Sequence, residues 1–178
     1  MKFKNEYQIE ITYGLIIGVL TIAWLLIQQY AGIDRLATEM IKYLSLVVIS
    51  IPVIGISIGL RAKKKSLNGK ITFWQACSSG LIMATISGIL TGIFLFIFLS
   101  ISPAITDSYI EYVRTSMTAA GQSSTEVTET IAFLQNQLSP INQALNAIFG
   151  SVVTGGIISV IVAAFIKNAC QADLKKKV

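Results

Sequence analysis

The chain has 178 residues, of which 53% are hydrophobic and 13% charged, with a mean hydropathy of +0.69 and a formal net charge of +5. Soluble globular domains run near a quarter charged, so this composition excludes an ordinary soluble domain and calls for burial of apolar surface in lipid, most simply by one domain over residues 1–178. The positive balance does not point to nucleic acid, because the fourteen Lys and Arg residues gather at the ends of apolar runs, which is the membrane pattern.

Four runs hold no Asp, Glu, Lys, Arg or His and are expected to be spans: 11–29, 43–60, 76–101 and 143–166. A helix needs roughly 20 apolar residues to cross about 30 Å of hydrocarbon, and these runs reach or approach that length. The first is longer than a signal-peptide core and no small-residue cleavage site follows it, so it reads as a retained anchor. The second is the shortest. Its helix can extend backwards through Met40 and Leu36, with Asp34 as N-cap after a turn at Gly32, and Pro52 inside it is expected to remove a backbone hydrogen bond and kink it. After the Asn68-Gly69 turn, Thr72 and Gln75 form a T-x-x-Q capping box for the third helix, which is long enough to tilt or to project from the membrane.

Between the third and fourth runs lies a helical insertion, about 103–139. Its first half reads as a short helix ending at Gly121. The second half opens on a Ser123–Glu126 capping box and carries Val127, Ile131, Leu134 and Leu138 at spacings of 4, 3 and 4. That stripe must be covered, either by the lipid surface or the tops of the spans, or by a partner protein, which makes these four residues a candidate partner face. Charge on the insertion is net negative, with Asp107, Glu111, Glu126 and Glu129 against Arg114. Ser139 and Pro140 are expected as N-cap and first-turn proline of the last helix.

Orientation follows from the basic residues, which resist translocation. The N-terminal tail, the loop with Arg61, Lys63, Lys64, Lys65 and Lys70, and the C-terminal tail together hold eleven Lys and Arg, against three (Arg35, Lys42 and Arg114) in the alternate segments. Both termini are therefore expected in the cytoplasm and the 103–139 insertion outside it. Tyr7, Tyr13, Phe73 and Trp74 fall at the inner boundary and Tyr30, Tyr43, Tyr109 and Tyr112 at the outer one, where amphipathic rings settle.

Helices in lipid associate through small residues that allow close backbone approach. Every run has a row spaced by four: Gly14 and Gly18; Gly55 and Gly59; Gly80, Ala84, Gly88 and Gly92; Ser151, Gly155, Ser159 and Ala163. These rows predict an all-α, four-helix transmembrane bundle with its third and fourth spans in closest contact, the alternative being that one row faces a second copy or a partner subunit. Gly14-Leu15-Ile16 and Gly80-Leu81-Ile82 open the two hairpins alike, a hint of parallel duplication.

Residues that carry chemistry are sparse. No span holds an ionisable group for ion or proton coupling, the chain has no His for a nucleophilic triad or an imidazole metal site, and no phosphate-binding glycine loop is present. Neither an enzyme nor a cofactor is expected. Cys77 and Cys170 read as small packing residues rather than a redox pair. Arg61, Lys63, Lys64, Lys65 and Lys70, with Lys175, Lys176 and Lys177, are expected to face anionic headgroups, a role that orientation alone also explains.

The segment from Tyr13-Gly14-Leu15-Ile16-Ile17-Gly18, the loop Asn68-Gly69-Lys70-Ile71-Thr72-Phe73-Trp74-Gln75-Ala76, and the closing Gly155-Gly156-Ile157-Ile158-Ser159 resemble the family called domain of unknown function 4199, over about residues 5–167. The resemblance implies a bacterial inner-membrane protein, mostly of Bacteroidota, with four spans. It implies no activity and no catalytic residues. The expected function is a structural or accessory membrane protein that binds another membrane component or a second copy of itself. The alternative is an uncoupled channel, facilitator or lipid-handling protein, suggested by the Ser and Thr residues among the small rows.

Overall fold

The computed structural model describes residues 7–30 and 38–175, with side chains over 7–30 and 47–166. The expectations for Gly32, Asp34, Leu36, Lys176 and Lys177, and for the side chains of Met40, Cys170 and Lys175, lie outside what the structure describes. All described elements are helical, and no strand occurs among them: α1 Gln8–Tyr30, α2 Thr38–Ser66, α3 Phe73–Ile101, α4 Pro103–Ala119, α5 Ser124–Gln137 and α6 Pro140–Lys175.

Among the described residues, three helical stretches are long and apolar enough to cross a membrane: Gln8–Tyr30, Phe73–Ile101 and Pro140–Ile166. They contain the runs 11–29, 76–101 and 143–166. Helix α2 is not among them. Of its stretch with described side chains only residues 47–60 precede the basic run, roughly 21 Å of helix against the ~30 Å of a hydrocarbon core. Pro52 lies inside α2, which continues through it.

Local chemistry sets the helix ends. Lys63, Lys64 and Lys65 occupy the last turn of α2, where cations complement the C-terminal dipole. Asn68 (φ 52°) and Gly69 (φ 80°) then take the left-handed conformation that stops the helix, and the Gly69 amide donates to the Lys64 carbonyl at 2.9 Å. The Thr72–Gln75 box forms as the motif predicts, with the Thr72 amide donating to Gln75 Oε1 at 3.0 Å and the Gln75 amide to Thr72 Oγ1 at 3.2 Å. Helix α5 is opened by Ser123 and Glu126, whose side chains each accept from the other's backbone amide. At α6, Pro140 takes the first position, but the Ser139 hydroxyl donates backwards to the Asn136 carbonyl at 2.8 Å. The last carbonyls of α5 lack intrahelical donors, and the Ser139 hydroxyl and the Asn142 amide, 2.7 Å from the same oxygen, supply them.

The chain divides into two compact units, Met1–Thr91 with Ile148–Val178, and Gly92–Ala147. In the first, Ile17, Ile56, Leu60, Met83, Ala84, Ile158 and Ala163 form a core to which α1, α2, α3 and α6 all contribute. In the second, α4 and α5 close on a small core of Ile110, Val127 and Ile131.

Candidate functional site

The first unit brings its charges together at one end. Helix α1 begins at Gln8, so Glu10 is helical, and it shares a face with Gly14, Ile17 and Gly18. Glu10 is consequently turned inward and only 1% exposed. A buried carboxylate costs several kcal/mol unless paired. Lys63 of α2 pairs it, with Nζ 2.7 Å from Glu10 Oε1, and Ser79 of α3 donates its hydroxyl to the same oxygen at 2.7 Å. The Lys63 ammonium also lies 5.8 Å from the centroid of the Tyr7 ring, within cation–π range. Glu10 Oε2 is buried and has no hydrogen-bond partner among the described residues. One residue on from Lys63, the Lys64 ammonium donates to the Ile166 carbonyl of α6 at 3.4 Å.

Four helices thus meet through side chains at the end of α2. Ser79 is 4% exposed and donates a hydrogen bond to the carboxylate that pairs with the Lys63 ammonium, so this trio ties α1, α2 and α3 together. Lys63 and Lys64 differ here from the expectation that they face headgroups: the Lys63 side chain is 12% exposed and ion-paired. The remaining basic residues of the loop, Arg61, Lys65 and Lys70, are exposed. So is Trp74 at the start of α3, whose ring packs edge-on against Phe73 with centroids 5.8 Å apart.

The small-residue rows lie against other helices of the same unit. A Cβ at Gly14 would stand 2.8 Å from Ile86 Cβ and 2.9 Å from the Met83 carbonyl oxygen, and one at Gly18 would stand 2.8 Å from Leu90 Cδ2. Gly55 is covered by Ile17, and Gly59 by Met83 and Tyr13. Gly80 faces Ser159, Gly155 faces Ala84, and Gly88 faces Ser151 at 2.8 Å from a built Cβ to the serine Cβ, so α3 and α6 interlock position by position in opposite directions. Ala163 and Gly92 are buried as well.

The stripe Val127, Ile131, Leu134 and Leu138, expected as a partner face, is covered by the chain itself. Val127 and Ile131 are buried against Ile110, and Val113, Met117, Leu134 and Leu138 pack around them. Gly121, at φ 74°, lets α4 fold back on α5 so that two amphipathic faces cover each other. Cys77 is a free, half-buried thiol.

Sequence reasoning missed Glu10 and its ties to Lys63 and Ser79. The signal was present, because Glu10 stands four residues before Gly14 and Lys63 four after Gly59, so each extends the inward row of its own helix.

Comparison with known families places the chain. The model described as Protein of unknown function (DUF4199) matches residues 12–168, and the chain belongs to that family. No curated protein and no solved structure matches it significantly.

Proposed function

We propose that this member of the DUF4199 family is a multi-pass protein of a bacterial inner membrane, with four spans, both termini in the cytoplasm and α4–α5 on the outer side. Its role is that of a structural or accessory protein that binds another membrane component, not an enzyme. Helix α2 supplies the fourth span through the charge-free run 43–60, and the eleven-to-three imbalance of basic residues sets the orientation.

One observation carries this reading: the buried charges of the first unit, Glu10 and Lys63, are spent on each other and on tying helices together. Glu10, Lys63 and Ser79 bind together at 2.7 Å, and the interior between α3 and α6 is filled by interlocked small residues. A bundle built this way is a scaffold.

Two experiments test it. A cysteine at position 66 should stay hidden from an impermeant thiol reagent in intact cells and one at 123 should be labelled, both in a background lacking Cys77 and Cys170; the reverse pattern inverts the topology. Mild extraction with crosslinking should then recover a defined partner or a homo-oligomer, and free monomer under several mild conditions would remove the accessory role.

A second reading, a facilitator or lipid-handling protein, draws on Thr91. Its Oγ1 is buried without a hydrogen-bond partner among the described residues, and Ser87, also buried, lies one turn away on the same face of α3. Solute efflux from vesicles holding the protein would favour it only if the rate exceeded that of empty vesicles and fell in Thr91→Val.

A further inference from the structure

The basic loop between α2 and α3 divides into two sets that point different ways. At about 100° per residue, Arg61 and Lys65 fall within roughly 40° of each other on α2, whereas Lys63 lies nearly opposite. The contacts agree: Lys63 is withdrawn to Glu10 and Lys64 reaches the Ile166 carbonyl, while Arg61, Lys65 and Lys70 are exposed and make no ion pair among the described residues. Glu10, the carboxylate described at this end, is consumed by Lys63 and is 1% exposed, so it cannot neutralise them. Four residues after Lys70, in the first turn of the apolar helix that follows the loop, stands Trp74, 79% exposed. An exposed indole at a helix end settles at headgroup level, which puts the cations in the plane of the lipid phosphates.

We infer that Arg61, Lys65, Lys70 and Trp74 form a binding site for the headgroup of an anionic phospholipid, with the indole beside the upper acyl chain. The inference rests on the membrane-spanning reading given above. The partner is fixed by charge complementarity: three exposed cations that make no ion pair among the described residues, in a loop that leads into an interfacial indole, suit a phosphodiester that is tethered in the bilayer. Lys63 and Lys64 serve the bundle and not the lipid.

The test uses the full-length chain with Trp24→Phe, so that Trp74 is the remaining tryptophan, reconstituted into phosphatidylcholine vesicles. A fraction of the lipid is replaced by chain-brominated phosphatidylcholine or chain-brominated phosphatidylglycerol, and quenching of Trp74 is compared. The brominated anionic lipid should be preferred by at least about fivefold, the factor that one basic side chain near an anionic surface supplies. Arg61→Gln, Lys65→Gln and Lys70→Gln should together bring the ratio close to one, and Lys64→Gln should leave it near the parental value. Equal quenching by both lipids overturns the inference, as does a loss in Lys64→Gln equal to that in Lys65→Gln, which would signify bulk charge alone. Relief of the preference by millimolar inorganic phosphate at constant ionic strength would make this a free-anion site and also overturn it. If the triple variant does not fold, the parental ratio still decides. Absence of quenching by either brominated lipid would instead strike at the membrane-spanning reading itself.

Discussion

Glu10 and Lys63 meet 2.7 Å apart at one end of the first unit, each lying four residues beyond a glycine of its own helix row. Rows that let α1 and α2 approach closely therefore run on into a pair of opposite charges. Ser79 joins α3 to the same carboxylate oxygen. Because Glu10 is almost fully buried, the interaction works at low dielectric, where either charge alone would be strongly unfavourable.

The pair should consequently behave as a unit in a double-mutant cycle. Glu10→Ala or Lys63→Ala strands the other charge and is expected to destabilise the detergent-solubilised protein by about 3–5 kcal/mol. Glu10→Leu with Lys63→Met together should cost far less than the sum of the single changes. Thermal unfolding of the singles and the double measures this, and additive effects would show that the two charges do not act on each other.

A parallel expectation concerns close packing. Valine at Gly80 has to occupy the position of the Ser159 side chain, and the two helices must separate or distort. Overpacking of this kind costs about 1–3 kcal/mol. Gly150, on α6, has nothing within 4 Å of a built Cβ, so Gly150→Ala should stay within about 0.5 kcal/mol of the parent. Equal losses at both positions in the same unfolding assay would mean that interlocking at the α3–α6 contact does not govern these helices.

Much of this was legible from periodicity and capping. The charge-free runs anticipated α1, α3 and α6, and the Thr72–Gln75 and Ser123–Glu126 boxes placed two helix starts, because these signals are local. Glu10 was lost for a physical reason: a charge ordinarily ends an apolar run because lipid penalises it, and that rule fails when a second charge arrives from another helix to neutralise it. Likewise the stripe on α5 was legible but its cover was not. Ile110, Val113 and Met117 on α4 form a matching stripe, yet which stripe meets which is decided by the turn at Gly121 and by tertiary packing. Ser139 failed as a side-chain cap because the end of α5 competes for its hydroxyl.

The α4–α5 pairing makes its own prediction. Ile131 is 4% exposed in a core of few residues, so Ile131→Ala should cost about 2–4 kcal/mol locally. Hydrogen exchange should report this as faster opening of amides across 103–137 in the isolated protein. If the stripe were instead a docking face left bare until a partner arrives, the substitution would leave exchange in the isolated chain unchanged and act only on complex formation.

The start of α5 should respond to acid. Glu126 accepts from the Ser123 hydroxyl at 2.9 Å and from the Ser123 amide at 3.1 Å, and these hydrogen bonds, the hydroxyl's first, hold its carboxyl below the ordinary value of 4.5. A carboxyl whose acidity is strengthened by folding contributes stability that is fully present above its unfolded value and is lost as the pH falls through the lowered native one. Amides in the first turn of α5 should therefore exchange faster as the pH drops below 4.5, after correction for intrinsic exchange, with little change above it. Ser123→Ala removes the stronger of the two donors, since the hydroxyl goes while the amide remains. The carboxyl titration of Glu126, followed by NMR, should then move part of the way back towards 4.5 and the acid response of the first turn should shrink accordingly. An unchanged titration in that variant would mean that the hydroxyl contributes nothing to the capping box.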